Sequence, residues 1–143
     1  MGDVGDTTQR RTEEGRPEVV LTVAAEVDIV RARHAARDLC RRLGTSAVTL
    51  QRVVTIVSEL TRNMLRHAGG GELTLARVAS RARRVTIHAR DAGPGIEDLA
   101  ARLAGRGRGL GLVGSKRLAD VFDVQTGPGG TSIRAEVGDG GGA

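Results

Sequence analysis

Residues 58–67 read SELTRNMLRH and end a long run of apolar residues at helical spacing. Glu59 and Asn63 lie one turn apart on the polar face of this predicted helix. Their side-chain oxygens could hold a water molecule or a hard cation. The alternative is a solvated face on which Glu59 pairs with Arg62 or Arg66. The opposite face predicts a buried stripe made of Leu50, Val53, Val54, Val57, Leu60 and Met64.

The composition indicates one domain with an aliphatic core. The chain has 143 residues, and Phe122 is its only aromatic residue. Val, Leu, Ile and Ala must therefore fill the interior, which favours a sheet covered by helices. The single cysteine, Cys40, excludes an intrachain disulfide and a thiolate metal cluster.

The net charge of +5 is carried almost entirely by arginine, since Lys116 is the only lysine. A basic balance favours an anionic partner such as a nucleotide phosphate or a nucleic acid. However, Arg-, Ala- and Gly-rich usage is also typical of a GC-rich genome, and no aromatic residues are interleaved with the basic ones for base stacking. We therefore do not expect nucleic-acid binding.

The ends of the chain predict flexible tails, and no segment predicts membrane contact. Residues 1–17 are polar and aperiodic and residues 138–143 are Gly-rich, so residues 18–137 are expected to form the domain. The N-terminus lacks the apolar core of a signal peptide, and the chain has no apolar run of about 18 residues. These features predict a cytoplasmic protein with no membrane partner.

The periodicity predicts strands that cluster in hairpins and helices that come separately. Asp28 is a candidate N-cap of the first helix and Gly44 its stop, while Thr45 or Ser46 would cap the second. We expect an α+β two-layer sandwich, with a mixed, mostly antiparallel sheet and helices on one face. The predicted strands are 19–25, 72–79, 85–90, 121–126 and 131–137, and the helices are 28–43, 47–68, 97–104 and 112–119.

Two glycine clusters are candidate ligand sites. Asp91 ends a predicted strand just before Gly93 and Gly95, and a carboxylate there suits recognition of an amino group. The alternative is an ordinary Asp-Gly turn. Residues 105–111 read GRGRGLG, and their free backbone N–H groups could cradle an anion. This spacing is neither a P-loop nor a GxGxxG motif, so a mobile surface loop is the alternative.

Taken in chain order, these motifs resemble the four motif boxes of the GHKL ATPase superfamily, which has the Bergerat nucleotide-binding fold. The boxes are Glu59-x-x-x-Asn63, Asp91-x-Gly93-x-Gly95, Gly107-x-Gly109-x-Gly111 and Gly130-Thr131, and the resemblance covers residues 18–137. Within the superfamily, the chain is similar to the small serine/threonine switch kinases of bacterial stress signalling. The stretches EVDIVRARHAARDL, SELTRNMLRHAGGGEL, DAGPGI and GLGLVGSKRLAD carry this likeness.

The resemblance implies that the chain binds ATP and Mg²⁺, and it assigns a role to each box. Asn63 would bind Mg²⁺, and Glu59 would accept the proton of the substrate hydroxyl. Asp91, helped by Thr131, would recognise the adenine amino group; His67 is expected to be structural. The glycines would act through their backbone. Gly93 and Gly95 would form the pocket floor, and a lid around the phosphates would be formed by Gly107, Gly109 and Gly111.

Three functions follow from this resemblance. The first is an ATP-dependent serine/threonine kinase that phosphorylates a STAS-domain antagonist protein and works by partner switching, with a PP2C-type phosphatase as its next partner. The second is an anti-sigma factor that sequesters an alternative sigma factor. The third is an interaction module that binds no nucleotide. A homodimer is compatible with all three.

Overall fold

The computed structural model describes residues 16–81, 83–105 and 111–140, and its elements follow the order that the sequence predicts. None of the described helices has the length and apolar character needed to cross a bilayer. The described elements are β1 (Pro17–Val23), α1 (Val27–Leu43), α2 (Ala47–Ala68), β2 (Gly71–Arg77), β3 (Arg84–Asp91), α3 (Leu99–Leu103), α4 (Gly111–Leu118), β4 (Val121–Gly127) and β5 (Gly130–Gly138).

The five strands form one sheet in the order β1-β2-β3-β5-β4. All four pairings are antiparallel, so the described sheet contains no parallel pair. After β3 the chain leaves the sheet for α3 and α4, and it returns through the β4–β5 hairpin with β5 beside β3. The predicted α+β two-layer sandwich is therefore confirmed, with a sheet that is antiparallel throughout its described strands rather than mixed.

The core lies between one face of the sheet and the two long helices, α1 and α2. Alternate strand residues point to this face, and the register aligns Leu73, Ala89 and Ile133 in one buried row. The same alternation places Asp91 and Thr131 in a row further along the same face, at the end of the sheet. On α2, the predicted stripe is buried except for Leu50, which is partly buried.

The predicted stops of both long helices are confirmed, and so is one of the two predicted starts. Gly44 and Gly69 end α1 and α2 in the left-handed conformation, with φ of 71° and 74°. Ser46 caps α2, because its side chain accepts a hydrogen bond from the Thr49 N–H. The N-cap assigned to Asp28 is wrong. Helix α1 begins at Val27, and the Asp28 carboxylate instead reaches back to the free amides of residues 24 and 25.

A buried ion-pair network holds α4 against α2 at the end of the sheet opposite Asp91. Arg52 of α2 donates to the Leu118 carbonyl at 2.7 Å and to the Asp120 carboxylate at 2.8 Å. Arg84 of β3 is 5% exposed and pairs with both Asp120 and Glu136. The last turn of α4 is thus tied to α2 through Arg52.

The domain extends slightly past its predicted limits. Strand β1 starts at Pro17 and β5 continues to Gly138. Asp139 then accepts hydrogen bonds from the Ser46 N–H at 3.0 Å and from the Thr49 hydroxyl at 2.6 Å. Residues 138 and 139 therefore belong to the fold, whereas residues 1–15 and 141–143 lie outside the described chain.

Candidate functional site

The polar face of α2 forms one wall of a cavity of about 810 Å³ that is completed by α3 and α4. Glu59, Asn63 and Gly111 all line this cavity. The structure thus brings together three of the residues that the motif boxes single out. Five further polar residues of the lining are Thr55, Arg62, Arg66, His67 and Arg102.

The Glu59 carboxylate lies between a neighbouring arginine and the start of α4. Its Oε1 accepts a hydrogen bond from Arg62 Nη1 at 3.0 Å, so the ion pair that the sequence left as an alternative is present. A Cβ atom built on Gly111 would lie 2.9 Å from Glu59 Oε2. Because both partners of the ion pair are partly exposed, the pair contributes on the order of 0.5 kcal/mol or less. Its effect is to orient the carboxylate.

The cavity lining is strongly cationic. Arg62, Arg66 and Arg102 face a single acid, Glu59, and neither Arg66 nor Arg102 has an ion-pair partner in the described part of the chain. Partial burial lowers the pKa of His67, and repulsion by Arg102 and Arg66 lowers it further. The electrostatics favour a polyanion such as a nucleotide phosphate chain.

A second, smaller cavity of about 400 Å³ lies at the end of the sheet. Its polar lining residues are Arg90, Asp91, Gln125, Thr126, Thr131 and Ser132. Asp91 Oδ1 accepts a hydrogen bond from the Gly93 N–H at 2.9 Å. Thr131 is buried, and its hydroxyl lies 2.8 Å from that of Thr126, which also accepts the Ile96 N–H at 2.8 Å. The carboxylate and hydroxyl oxygens can accept hydrogen bonds, so they suit the edge of a nucleobase that carries N–H donors.

Gly93 and Gly95 lie in the loop that follows Asp91. A Cβ on Gly93 would come within 2.6 Å of the Ala68 Cβ at the end of α2. Gly95 has φ of 91°, and a Cβ there would meet the Gly127 carbonyl oxygen at 2.4 Å. The two glycines allow this loop to fit between α2 and the β4–β5 hairpin, although neither lines a described cavity.

The predicted site residues therefore line two neighbouring cavities, and the Asp91 carboxylate is close enough to His67 of the larger one to raise the pKa of that histidine in part. Glu59, Asn63 and Gly111 line the larger cavity, and Asp91 and Thr131 line the smaller one. Gly107 and Gly109, like Arg106 and Arg108, lie outside the described residues.

Sequence reasoning missed four residues near these cavities. The sequence predicts Arg66 only as a possible partner of Glu59, and His67, which is expected to be structural, lines the larger cavity. Arg102 belongs to a five-residue helix that matches no motif, so no sequence signal points to it. Thr126 could have been found, because it faces Thr131 across the Gly-rich turn of a predicted hairpin.

No group of three or more His, Cys, Asp or Glu side chains in the described ranges could hold a metal ion. A metal here would therefore depend on the Asn63 amide oxygen and on oxygens of a bound ligand. The cationic larger cavity and the acceptor in the smaller one fit a nucleoside triphosphate.

The antiparallel two-layer fold and this site define a GHKL-type ATPase domain. Residues 22–137 match the family model of the histidine kinase-like ATPase domain, so the chain belongs to that family and ATP is the ligand that the family implies. A search of curated proteins finds no match.

Two solved structures have a similar fold. The structure of the SiaB-SiaC complex from Pseudomonas aeruginosa aligns with a TM-score of 0.66 at 17% identity, over 94% of this chain and 96% of that chain. The structure of the RsbU and RsbW domains of Rv1364c from Mycobacterium tuberculosis aligns with a TM-score of 0.63 at 18% identity, over 85% of this chain. Only 31% of the Rv1364c chain is covered.

Proposed function

We propose that the chain is an ATP-dependent serine/threonine protein kinase of bacterial stress signalling, which phosphorylates a STAS-domain antagonist protein. One observation carries this proposal. Glu59 and Asn63 lie one turn apart on the wall of a cationic cavity, directly beside the start of α4. The similar SiaB-SiaC structure is a complex of two proteins, which supports a protein partner for this fold.

The larger cavity would hold the phosphates. Arg62, Arg66 and Arg102 would offset their negative charge, and the Asn63 amide oxygen would ligate Mg²⁺. The bound Mg-ATP would supply the phosphoryl group to be transferred. Gly111 would allow the phosphates to approach the first turn of α4 beside Glu59, and Gly107 and Gly109 keep the lid role that the resemblance implies.

The smaller cavity would hold the adenine base. Asp91 would accept a hydrogen bond from the adenine amino group, while the Gly93 N–H fixes the orientation of its carboxylate. Thr131 would add a second polar contact, since its hydroxyl is already oriented by Thr126. Gly93 and Gly95 line neither of the two cavities, and they keep the pocket-floor role that the resemblance implies.

Glu59 would act as the general base. The substrate hydroxyl oxygen forms a bond to the γ-phosphorus, the bond from that phosphorus to the leaving ADP oxygen breaks, and the hydroxyl proton passes to the Glu59 carboxylate. Arg62 holds one carboxylate oxygen, which leaves the other available for the proton. Most of the rate enhancement would come from positioning and electrostatics.

Phosphorylation would then switch partners. A phosphate on the antagonist weakens its complex with the kinase by charge and bulk, and the freed kinase binds its next partner, a PP2C-type phosphatase. The competing function is an anti-sigma factor, which would capture a sigma factor stoichiometrically without this cycle.

The test is a phosphotransfer assay with Mg-ATP and a STAS-domain protein encoded near this chain. We expect phosphoserine or phosphothreonine on that protein, and loss of the product with Asn63→Ala. Absence of product with the wild-type chain would refute the kinase. Stoichiometric capture of a sigma factor in a parallel pull-down would favour the anti-sigma function instead.

A further inference from the structure

A shallow apolar groove of about 370 Å³ lies where the first turns of α2 meet the last turn of α4. Val48 is 69% exposed there, which is the highest value among the described large hydrophobic residues. The rest of the groove is lined by Ala47, Gln51, Arg52, Thr55 and Leu118. An exposed aliphatic surface of this kind favours contact with an apolar group of a partner.

The groove adjoins the larger cavity. Thr55 and Leu118 line both. Val48, Thr55 and Glu59 follow one face of α2. Since a helix rises about 1.5 Å per residue, Val48 lies roughly 16 Å from Glu59 along the helix axis, and Thr55 lies roughly 6 Å from Glu59.

The floor of the groove is held in place, and the charge of its arginine is compensated. The Arg52 guanidinium is engaged by the Leu118 carbonyl at 2.7 Å and by the Asp120 carboxylate at 2.8 Å. Its charge is thus compensated, and its side chain is held in place before any partner arrives. A preformed apolar surface requires little ordering when it binds.

We propose that this groove holds an aliphatic side chain of the protein substrate, on the same segment as the acceptor hydroxyl. This inference rests on the proposed kinase function. An extended segment spans about 3.3 Å per residue, so the distances along α2 place that side chain about two to five residues from the acceptor serine or threonine. The groove would thereby set which hydroxyl reaches Glu59.

The test compares Val48→Asp with the matched control Val27→Asp. Val27 is 62% exposed and lies on α1, outside the groove. We expect Val48→Asp to raise the KM for the STAS-domain protein about tenfold or more, because a buried valine contact is replaced by a desolvated charge. The KM for ATP should not change, and Val27→Asp should leave both constants unchanged.

Ala47→Asp provides a second groove variant. The helix dipole favours an acidic residue in the first turn of α2, whereas the Asp139 carboxylate at the same helix end opposes it, so the melting temperature is measured to check that the variant folds. Ala47→Asp should raise the KM for the STAS-domain protein in the same way as Val48→Asp. Equal KM values for both groove variants and Val27→Asp would overturn the proposal.

A binding titration with a non-hydrolysable ATP analogue separates the groove from the kinase chemistry. Weaker binding of the STAS-domain protein by Val48→Asp than by Val27→Asp supports the groove even if the wild-type chain transfers no phosphate. No binding by the wild-type chain overturns the groove proposal. A change in oligomeric state with Val48→Asp, without a change in substrate binding, also overturns it, because the groove would then bind a second copy of the chain.

Discussion

At the scale of single residues, Glu59 and Asn63 share one helical face, but their loss should have different effects. Asn63→Ala removes the amide oxygen proposed for the metal, so Mg-ATP should no longer raise the melting temperature. Glu59→Ala should keep that rise and lose about 10²- to 10⁴-fold in transfer rate, as expected for a general base. Thermal shift and single-turnover transfer measure the two effects. Full transfer by Glu59→Ala would return Glu59 to a solvated face, where it only pairs with Arg62.

A second prediction concerns the contact between Gly111 and Glu59. In Gly111→Ala, the new Cβ would lie 2.9 Å from Glu59 Oε2, so the flexible carboxylate must move while the fold is kept. We expect an unchanged melting temperature and a lower transfer rate. Gly127→Ala is the control, since its Cβ would meet no atom within 4 Å and Gly127 lines neither cavity. If both variants transferred phosphate equally, the position of Glu59 beside α4 would not matter.

At the scale of elements, Asp139 joins the end of β5 to the start of α2. Hydrogen bonds from the Thr49 hydroxyl and the Ser46 N–H lower the pKa of Asp139 in the folded state. A group whose folded pKa is depressed stabilises the fold above its unfolded pKa of about 4, and this stabilisation is lost as the pH falls through the folded pKa.

Asp139→Asn should therefore destabilise the protein at pH 7 and have little effect near pH 2. We expect a loss of about 1 kcal/mol at neutral pH, because Asn keeps an acceptor oxygen but lacks the charge that favours a helix N-terminus. Urea unfolding at both pH values measures the difference. Asp123→Asn is the control, since Asp123 is exposed and its nearest arginine nitrogen is 4.0 Å away. Equal effects of Asp139→Asn at both pH values would contradict the prediction.

The sequence predicts elements well where the signal is local. Gly44, Gly69 and Ser46 act at the helix ends where the pattern puts them, because their backbone and side-chain preferences need no distant partner. The N-cap prediction for Asp28 is wrong, because its carboxylate accepts hydrogen bonds from amides of the preceding loop rather than from those of its own helix. Contacts such as Asp139 with Ser46, 93 residues apart, depend on how the elements assemble and leave no local pattern.

At the scale of the whole molecule, Mg-ATP should stabilise the folded chain. A ligand that binds only the folded state adds about 2.7 kcal/mol to the free energy of unfolding at a hundredfold excess over its Kd. Asp91→Asn should remove most of this gain. The Asn oxygen can still accept the Gly93 N–H, but its amide NH₂ would then face the amino group of adenine.

The control for Asp91→Asn is a change of ligand. Inosine triphosphate lacks the adenine amino group, so the wild-type chain should bind it more weakly than ATP. Asp91→Asn should lose this discrimination, as measured by the thermal shift with each nucleotide. Equal preference for ATP in both proteins would show that Asp91 does not recognise the base.

The sequence predicts which residues could form the site but not its shape. Helical spacing puts Glu59 and Asn63 on one face and Asp91 ends a strand, but only the resemblance to the motif boxes gives these residues a role. The division into two cavities could not be predicted, and neither could the positive charge that Arg102 adds to the larger one. Both depend on how α3 and α4 pack against α2.

The division of the candidate site between two cavities bears on how a nucleotide would bind. A ligand that reaches from Asp91 to Asn63 is in effect two linked fragments, a nucleoside and a polyphosphate. Once one fragment is bound, the other is held near its own cavity at a high effective concentration. The affinity for the intact nucleotide should thus far exceed that for adenosine or tripolyphosphate alone, and either fragment at high concentration should compete with ATP.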